Sequence, residues 1–266
     1  MPYQIIVCGG LAPDPLQTLE PVASPNGPGL KNEMMLPAVF DPWAAHALYE
    51  MAHFARQAPG STVKVVSLAP KAKLQQVMMT LAQKLPFELL ALDGPANGFT
   101  DAGETAQALA NAIAALPGLD RSQLLVCGGW ESATRGAGVV MPMIAEKLGI
   151  PDIFLAVDEL HPDGDSLLVK ERVEGGRHMI SRLAGPPAVL AWATGTLPEP
   201  PNSPQIGMTN MRTIMPSLQK AQPVRLAGEA LEFQEVALPK LVRQTRIVKD
   251  LSNDEIAREI VEWLKA

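Results

Sequence analysis

Apolar residues in this chain alternate between short unbroken runs and stretches at helical spacing. Gln4 to Cys8, Thr62 to Ser67, Glu88 to Leu92 and Gln123 to Cys127 are runs of strand length, and such continuous runs suit strands covered on both faces. Helical periodicity precedes the last three. Between Trp43 and Gln57, Ala44, Ala47, Leu48, Met51 and Ala55 form one stripe, and Asp41-Pro42 supplies an N-cap followed by a first-turn proline. A second helix is predicted over Lys73 to Lys84. A third starts at Asp101, which makes a capping box with Glu104, and runs to Ala115. Strands alternating with helices imply a parallel sheet, and right-handed crossovers place the helices on both of its faces.

After Leu148 the pattern changes. Ile153 to Val157, Ser166 to Val173, Arg177 to Leu183 and Ala188 to Ala193 are strand-like, with Glu174-Gly175-Gly176 as a hairpin turn and Asp163-Gly164-Asp165 as another. Prolines concentrate before the first helix, at Pro13, Pro15, Pro21, Pro25 and Pro28, and late in the chain, at Pro198, Pro200, Pro201 and Pro204, which predicts two long irregular segments. The chain closes with a capping box at Ser252-Asn253-Asp254-Glu255 and an amphipathic helix carrying Ile256, Ile260, Val261 and Leu264. The predicted architecture is an α/β domain over 1–222, with an added β-hairpin region, and a C-terminal arm over 223–266 that docks on a partner.

Chemistry concentrates between Gly128 and Gly138. The apolar run Leu124-Leu125-Val126-Cys127 leads into Gly128-Gly129-Trp130-Glu131-Ser132-Ala133-Thr134-Arg135-Gly136-Ala137-Gly138 and then into a helix ending near Leu148. Small residues let backbone N–H groups approach a phosphate, and the helix start aims its unpaired N–H groups and positive dipole end the same way. The stretch lacks the lysine of a GxxxxGK[ST] loop and the spacing of a dinucleotide fingerprint, so an anion site and an ordinary strand-to-helix turn both remain open.

Composition narrows the partners. Net charge is −6 and the 22 Lys and Arg residues are scattered, so no basic stripe is offered to nucleic acid. No apolar run approaches the roughly 18 residues of a membrane span, and Met1-Pro2-Tyr3-Gln4 does not read as a signal peptide, which predicts a soluble protein of the cytoplasm or an organelle matrix. Cys8 and Cys127 each end an apolar run and suit buried thiols of a reducing compartment. His46 and His53 lie two turns apart with no third ligand beside them, and nothing in the chain makes a catalytic constellation.

The order of features resembles the β subunit of electron transfer flavoproteins over nearly the whole chain. The resemblance is carried by Pro13-Asp14 after the first strand, Asp41-Pro42-Trp43 where the family has Asn-Pro-Phe, Leu68-Ala69-Pro70 after the second strand and Ala145-Glu146-Lys147-Leu148-Gly149-Ile150-Pro151. The hairpin Lys170-Glu171-Arg172-Val173-Glu174-Gly175-Gly176 and the pair Ile214-Met215 complete it. It implies an electron carrier rather than an enzyme: a heterodimer whose α subunit binds most of the redox-active FAD, with AMP, or in electron-bifurcating relatives a second FAD, in the β subunit. The implied nucleotide pocket comprises Cys8, Asp41, Leu68 and the loop residues Ser132, Thr134, Arg135, Gly136, Ala137, Gly138, Val139 and Val140. The implied flavin-proximal residues are Pro15 and Trp43. Over Thr194 to Gln222 the resemblance implies a loop docking on a dehydrogenase, with Met211 as anchor beside Ile214 and Met215.

Departures accompany these matches. Thr134, Gly136-Ala137 and Val139 stand where the family's loop has Asp, a second acidic residue or Asp-Thr, and Gln, which leaves backbone N–H groups and Arg135 to meet a phosphate and argues against a second FAD. Glu171 and Arg172 stand where the family has Arg and Glu, so a partner that meets them must carry exchanged charges. Trp43 either covers the flavin edge or packs the helix start; Trp130 either stacks on adenine or, preferably, fills a gap between helix and sheet. Met211 either anchors a dehydrogenase or covers the chain's own core or the α subunit. Adenine-nucleotide hydrolases and stress-type proteins have a similar parallel sheet, so fold alone leaves them open, as it does a structural subunit with an empty pocket.

Overall fold

The computed structural model describes residues 1–24, 27–94, 100–226, 235, 237–238, 240, 245 and 247–265. Strand β1 (Gln4–Cys8) leads through two small antiparallel pairs, β2 (Leu11–Pro13) with β5 (Ala38–Phe40) and β3 (Pro21–Ser24) with β4 (Gly27–Leu30), into helix α1 (Pro42–Gln57). The first proline-rich segment is thus paired backbone over much of its length rather than irregular. Asp41 caps α1 by accepting from the Trp43 N–H, with Pro42 in the first turn. Then follow β6 (Thr62–Ala69), α2 (Lys71–Leu81), β7 (Glu88–Asp93), α3 (Ala102–Ala114), β8 (Leu124–Gly129) and α4 (Val140–Leu148). Asp101 accepts from the Glu104 N–H at the start of α3, and Gly149, at φ 60°, closes α4 as a left-handed cap.

The second half departs from simple alternation. Strand β9 (Ile153–Asp163), longer than its pattern predicted, pairs antiparallel with β10 (Ser166–Val173), which pairs antiparallel with β11 (Arg177–Leu183); β12 (Ala188–Trp192) then inserts parallel between β8 and β9. With β13 (Gln222–Pro223) the sheet reads β11-β10-β9-β12-β8-β1-β6-β7-β13. Two cores follow from the two faces. Ile5, Val7, Val65, Leu125 and Cys127 meet α1 and α2 on one side, while Ile6, Cys8, Val66, Leu124 and Val126 meet α3 and α4 on the other.

The late proline-rich segment holds helix α5 (Pro204–Gln219), where the sequence suggested an irregular loop. Ser203 caps it, Pro204 takes the first turn, and Asn210, buried, donates from Nδ2 to the carbonyls of Ala82 and Leu85, each at 2.7 Å. These bonds fix α5 to the end of α2. Ile214 and Leu218 enter the core. Helix α6 (Asn253–Lys265) carries the expected capping box, Ser252 with Glu255, and buries none of its residues. Part of the segment joining α5 to α6, and Pro25 of the first segment, lie outside the described residues.

Candidate functional site

Chain order in the sheet creates the site. From β1 the chain builds outward through β6 to β7, then returns to lay β8 on the other side of β1. Loops leaving neighbouring strands in opposite directions open a crevice at their carboxyl ends, where open parallel sheets bind ligands. A pocket of about 970 Å³, including its open mouth, lies there.

Cys8 and Leu68 bring the ends of β1 and β6 to its floor, Asp41 stands at the α1 cap, and Ser132, Thr134, Arg135 and Ala137 to Val140 form one wall. Of the residues assigned to this pocket from sequence, only Gly136 is outside its lining. Thr100 and Thr105 at the start of α3 and Leu109 further along it line the pocket as well and were missed, while Trp130, weighed as an adenine-stacking residue, and Glu131, at the start of the nucleotide loop, also line it. The Asp101 capping box was the available signal for the first group, because it placed the α3 start at a strand end.

Asp41 organises the loop. Its carboxylate, 6% exposed, accepts from the Trp43 N–H at 3.1 Å with one oxygen and from the Ala133 N–H at 2.8 Å with the other, tying the α1 start to a loop 92 positions away. Burial pushes its pKa up; the N–H bonds pull it back down, and Glu131 nearby pushes it further up. The loop itself turns through Gly136 and Gly138, at φ 60° and 65°, with the Gly136 N–H donating to the Ser132 carbonyl at 2.8 Å. Both conformations favour glycine.

Helix α4 opens onto the pocket at Val140 and Met141, and the Val139 side chain makes no cap bond. Pro142 removes the donor at the third position, so the first turn offers the N–H groups of Val140 and Met141. Arg135 was read from sequence as a phosphate partner. Its Nη1 donates to the Thr100 carbonyl at 2.9 Å, so the guanidinium bridges the loop to the start of α3. Burial pushes the Cys8 thiol up to about 12, and raises Cys127 as well, which keeps both as neutral core groups.

Gly129 permits the close approach of α1: a Cβ there would sit 2.5 Å from the Trp43 Cβ and 2.8 Å from the Glu131 carbonyl oxygen. Trp43 and Trp130 meet edge to face, centroids 6.1 Å apart. Trp130, 37% exposed, therefore faces the pocket mouth rather than filling a gap between helix and sheet. Trp43 and Pro15 are outside the pocket lining, and Pro15 is exposed in a turn.

The family model described as electron transfer flavoprotein domain matches residues 32–221, well over half the chain. The chain belongs to the electron transfer flavoprotein family. A comparison with curated proteins returns no match. Proteins of this family are electron carriers, and the match carries the reading past the hydrolase and stress-protein alternatives that the sheet alone left open. No helix among the described residues is long and apolar enough to cross a membrane.

The matched region also holds the exchanged hairpin charges, and the structure pairs both within the chain. Glu171 is buried, and its carboxylate accepts from the Leu155 N–H at 2.8 Å, at the bulge where Ala156 takes φ 51°. Arg172 donates to both oxygens of buried Asp158, at 2.8 and 3.1 Å, and to the Thr194 hydroxyl. Both charges are answered within the chain. Among the docking residues, Ile214 is fully buried and offers no contact surface, Met215 is half-buried against the core, and Met211 on α5 is 38% exposed.

Proposed function

We propose that this chain is the β-type subunit of a heterodimeric electron transfer flavoprotein, carrying electrons from a dehydrogenase through an FAD held mainly by the α subunit. The observation that carries this is α6. Its apolar side chains Ile256, Ile260, Val261, Trp263 and Leu264 are all exposed, although the helix is capped and amphipathic. A face of that size on a chain with its own complete cores is a partner surface. The C-terminal arm, 223–266, docks on the α subunit. At the other surface, Met211 on α5 offers an adaptable thioether to the dehydrogenase.

The pocket of this chain fits a nucleotide of AMP size. The α4 start supplies backbone donors, and Cys8, Leu68 and Leu109 give an apolar bed for a base. Trp43, at the start of α1, and Pro15, in the turn after β2, face the flavin of the α subunit. FAD, when bound, supplies the electron-carrying chemistry; this chain supplies the aromatic wall and the α-subunit contact.

Co-expression with an α subunit of the family, followed by purification through a tag on this chain, tests the proposal. A yellow heterodimer with one FAD is the expected product. A flavin-free monomer under these conditions overturns the proposal, and two flavins per heterodimer overturn the assignment of this pocket to AMP.

A further inference from the structure

The nucleotide wall of the pocket carries an acid that the loop geometry does not need. Glu131 lines the pocket half-buried, near Asp41, and its Oε2 lies 3.5 Å from the position a Gly136 Cβ would take. Asp41 is committed to the Trp43 and Ala133 N–H groups and is fixed in place. Glu131 has no such capping task among the described hydrogen bonds. Donor capacity opposite it is small: Pro142 limits the first turn of α4, and the one cationic side chain in the lining, Arg135, spends a guanidinium N–H on the Thr100 carbonyl.

We infer that Glu131 is a specificity-determining residue, which restricts this pocket to adenine ligands of low charge by repelling each phosphate beyond the first. This rests on the nucleotide reading of the pocket and adds the charge class of its ligand. The backbone donors of Val140 and Met141 hold one phosphate. A second or third phosphate places further negative charge in a partly desolvated space already holding two carboxylates, where like charges repel more strongly than in water. Glu131 is near enough to Asp41 to push its carboxyl pKa upward, a smaller effect than that of burial.

The test is calorimetric titration of the full chain, in the complex in which it purifies, with adenosine, AMP, ADP and ATP without added metal ions. Affinity is expected to fall from AMP through ADP to ATP. Glu131→Gln should raise ATP affinity by about tenfold, ADP less, and adenosine not at all. Glu131→Asp, which keeps the charge, should preserve the wild-type order, and high salt should narrow the wild-type differences. ATP binding as tightly as AMP in the wild type, or equal gains for all four ligands in Glu131→Gln, overturns the inference while leaving the nucleotide reading intact. Absence of binding by adenosine and AMP alike overturns both.

Discussion

Asp41→Asn keeps an acceptor oxygen for the α1 cap and withdraws the second oxygen from the Ala133 N–H, placing an amide donor there instead. The lost bond is charge-assisted and, at 2.8 Å, well formed; bonds of that kind contribute about 1.5 to 3 kcal/mol. An opposing effect accompanies it. Burial raises the folded-state pKa of Asp41 above its unfolded value of 3.8, so the folded state holds its proton longer. The stability from this shift is complete below pH 3.8 and is lost as pH rises through the folded pKa, above which the buried carboxylate costs stability. The neutral amide removes that cost. Global stability of Asp41→Asn should therefore stay close to wild type, while the 131–140 wall loses its tether and AMP binding weakens by about tenfold, the equivalent of roughly 1.4 kcal/mol. Asp41→Ala loses the helix cap as well, about 1 kcal/mol more. Urea unfolding followed by circular dichroism reads the first quantity and calorimetric titration with AMP the second. Wild-type AMP affinity in Asp41→Asn, together with equal stability of the two variants, would refute the reasoning.

Gly129→Ala should destabilise the fold by about 1 to 3 kcal/mol through overpacking, because the new methyl meets the Trp43 Cβ and the Glu131 carbonyl, neither of which can swing away; an unchanged thermal midpoint would contradict this. His46, held below the usual imidazole range by burial against the opposing pull of Glu50 and Glu199, takes up its proton in the unfolded state first, so stability should fall as pH drops below about 6.5. His46→Gln should flatten that slope, and equal slopes in variant and wild type would assign the acid sensitivity to other groups. Met211→Ala should slow electron transfer from the dehydrogenase without changing flavin content or heterodimer stability; loss of assembly in step with transfer would make Met211 a structural residue.

Local signals carried the central strands and the helix starts into view. Asp41-Pro42 and Asp101 with Glu104 mark helix ends through bonds to backbone a few positions away, and the structure has both. The strand ends Cys8 and Leu68 converge because parallel pairing puts their carboxyl ends on one side, a consequence of alternation alone. Helix α5 was hidden by its composition: Pro204, Gly207 and Pro216 weaken the helical reading, although Ser203-Pro204 is a helix start of the same kind as Asp41-Pro42. The long-range bonds were invisible for a different reason. Asp41 to Ala133, Arg135 to Thr100 and Glu171 to Leu155 exist only once the sheet has set the register of distant segments.

The internal use of Glu171 and Arg172 bears on how a partner is chosen. A carboxylate that holds a β-bulge and a guanidinium already paired with a buried aspartate have little attraction left for an outside charge, since forming a new pair would first break a well-made one. Removing Arg172 would leave buried Asp158 with the His178 imidazole, at 3.2 Å, as its remaining side-chain partner among the described hydrogen bonds. The damage would fall on the hairpin before it reached any interface. The proposed α-subunit interface then rests on exposed apolar groups of the hairpin and the arm: Met179 and Ile180 on β11, and the stripe of α6. Apolar contact of this kind responds weakly to salt, whereas steering by the exchanged charges would weaken steeply with ionic strength. Heterodimer association measured across a salt series therefore separates the two modes, with a flat response expected here and a steep one assigning the exchanged charges to the interface.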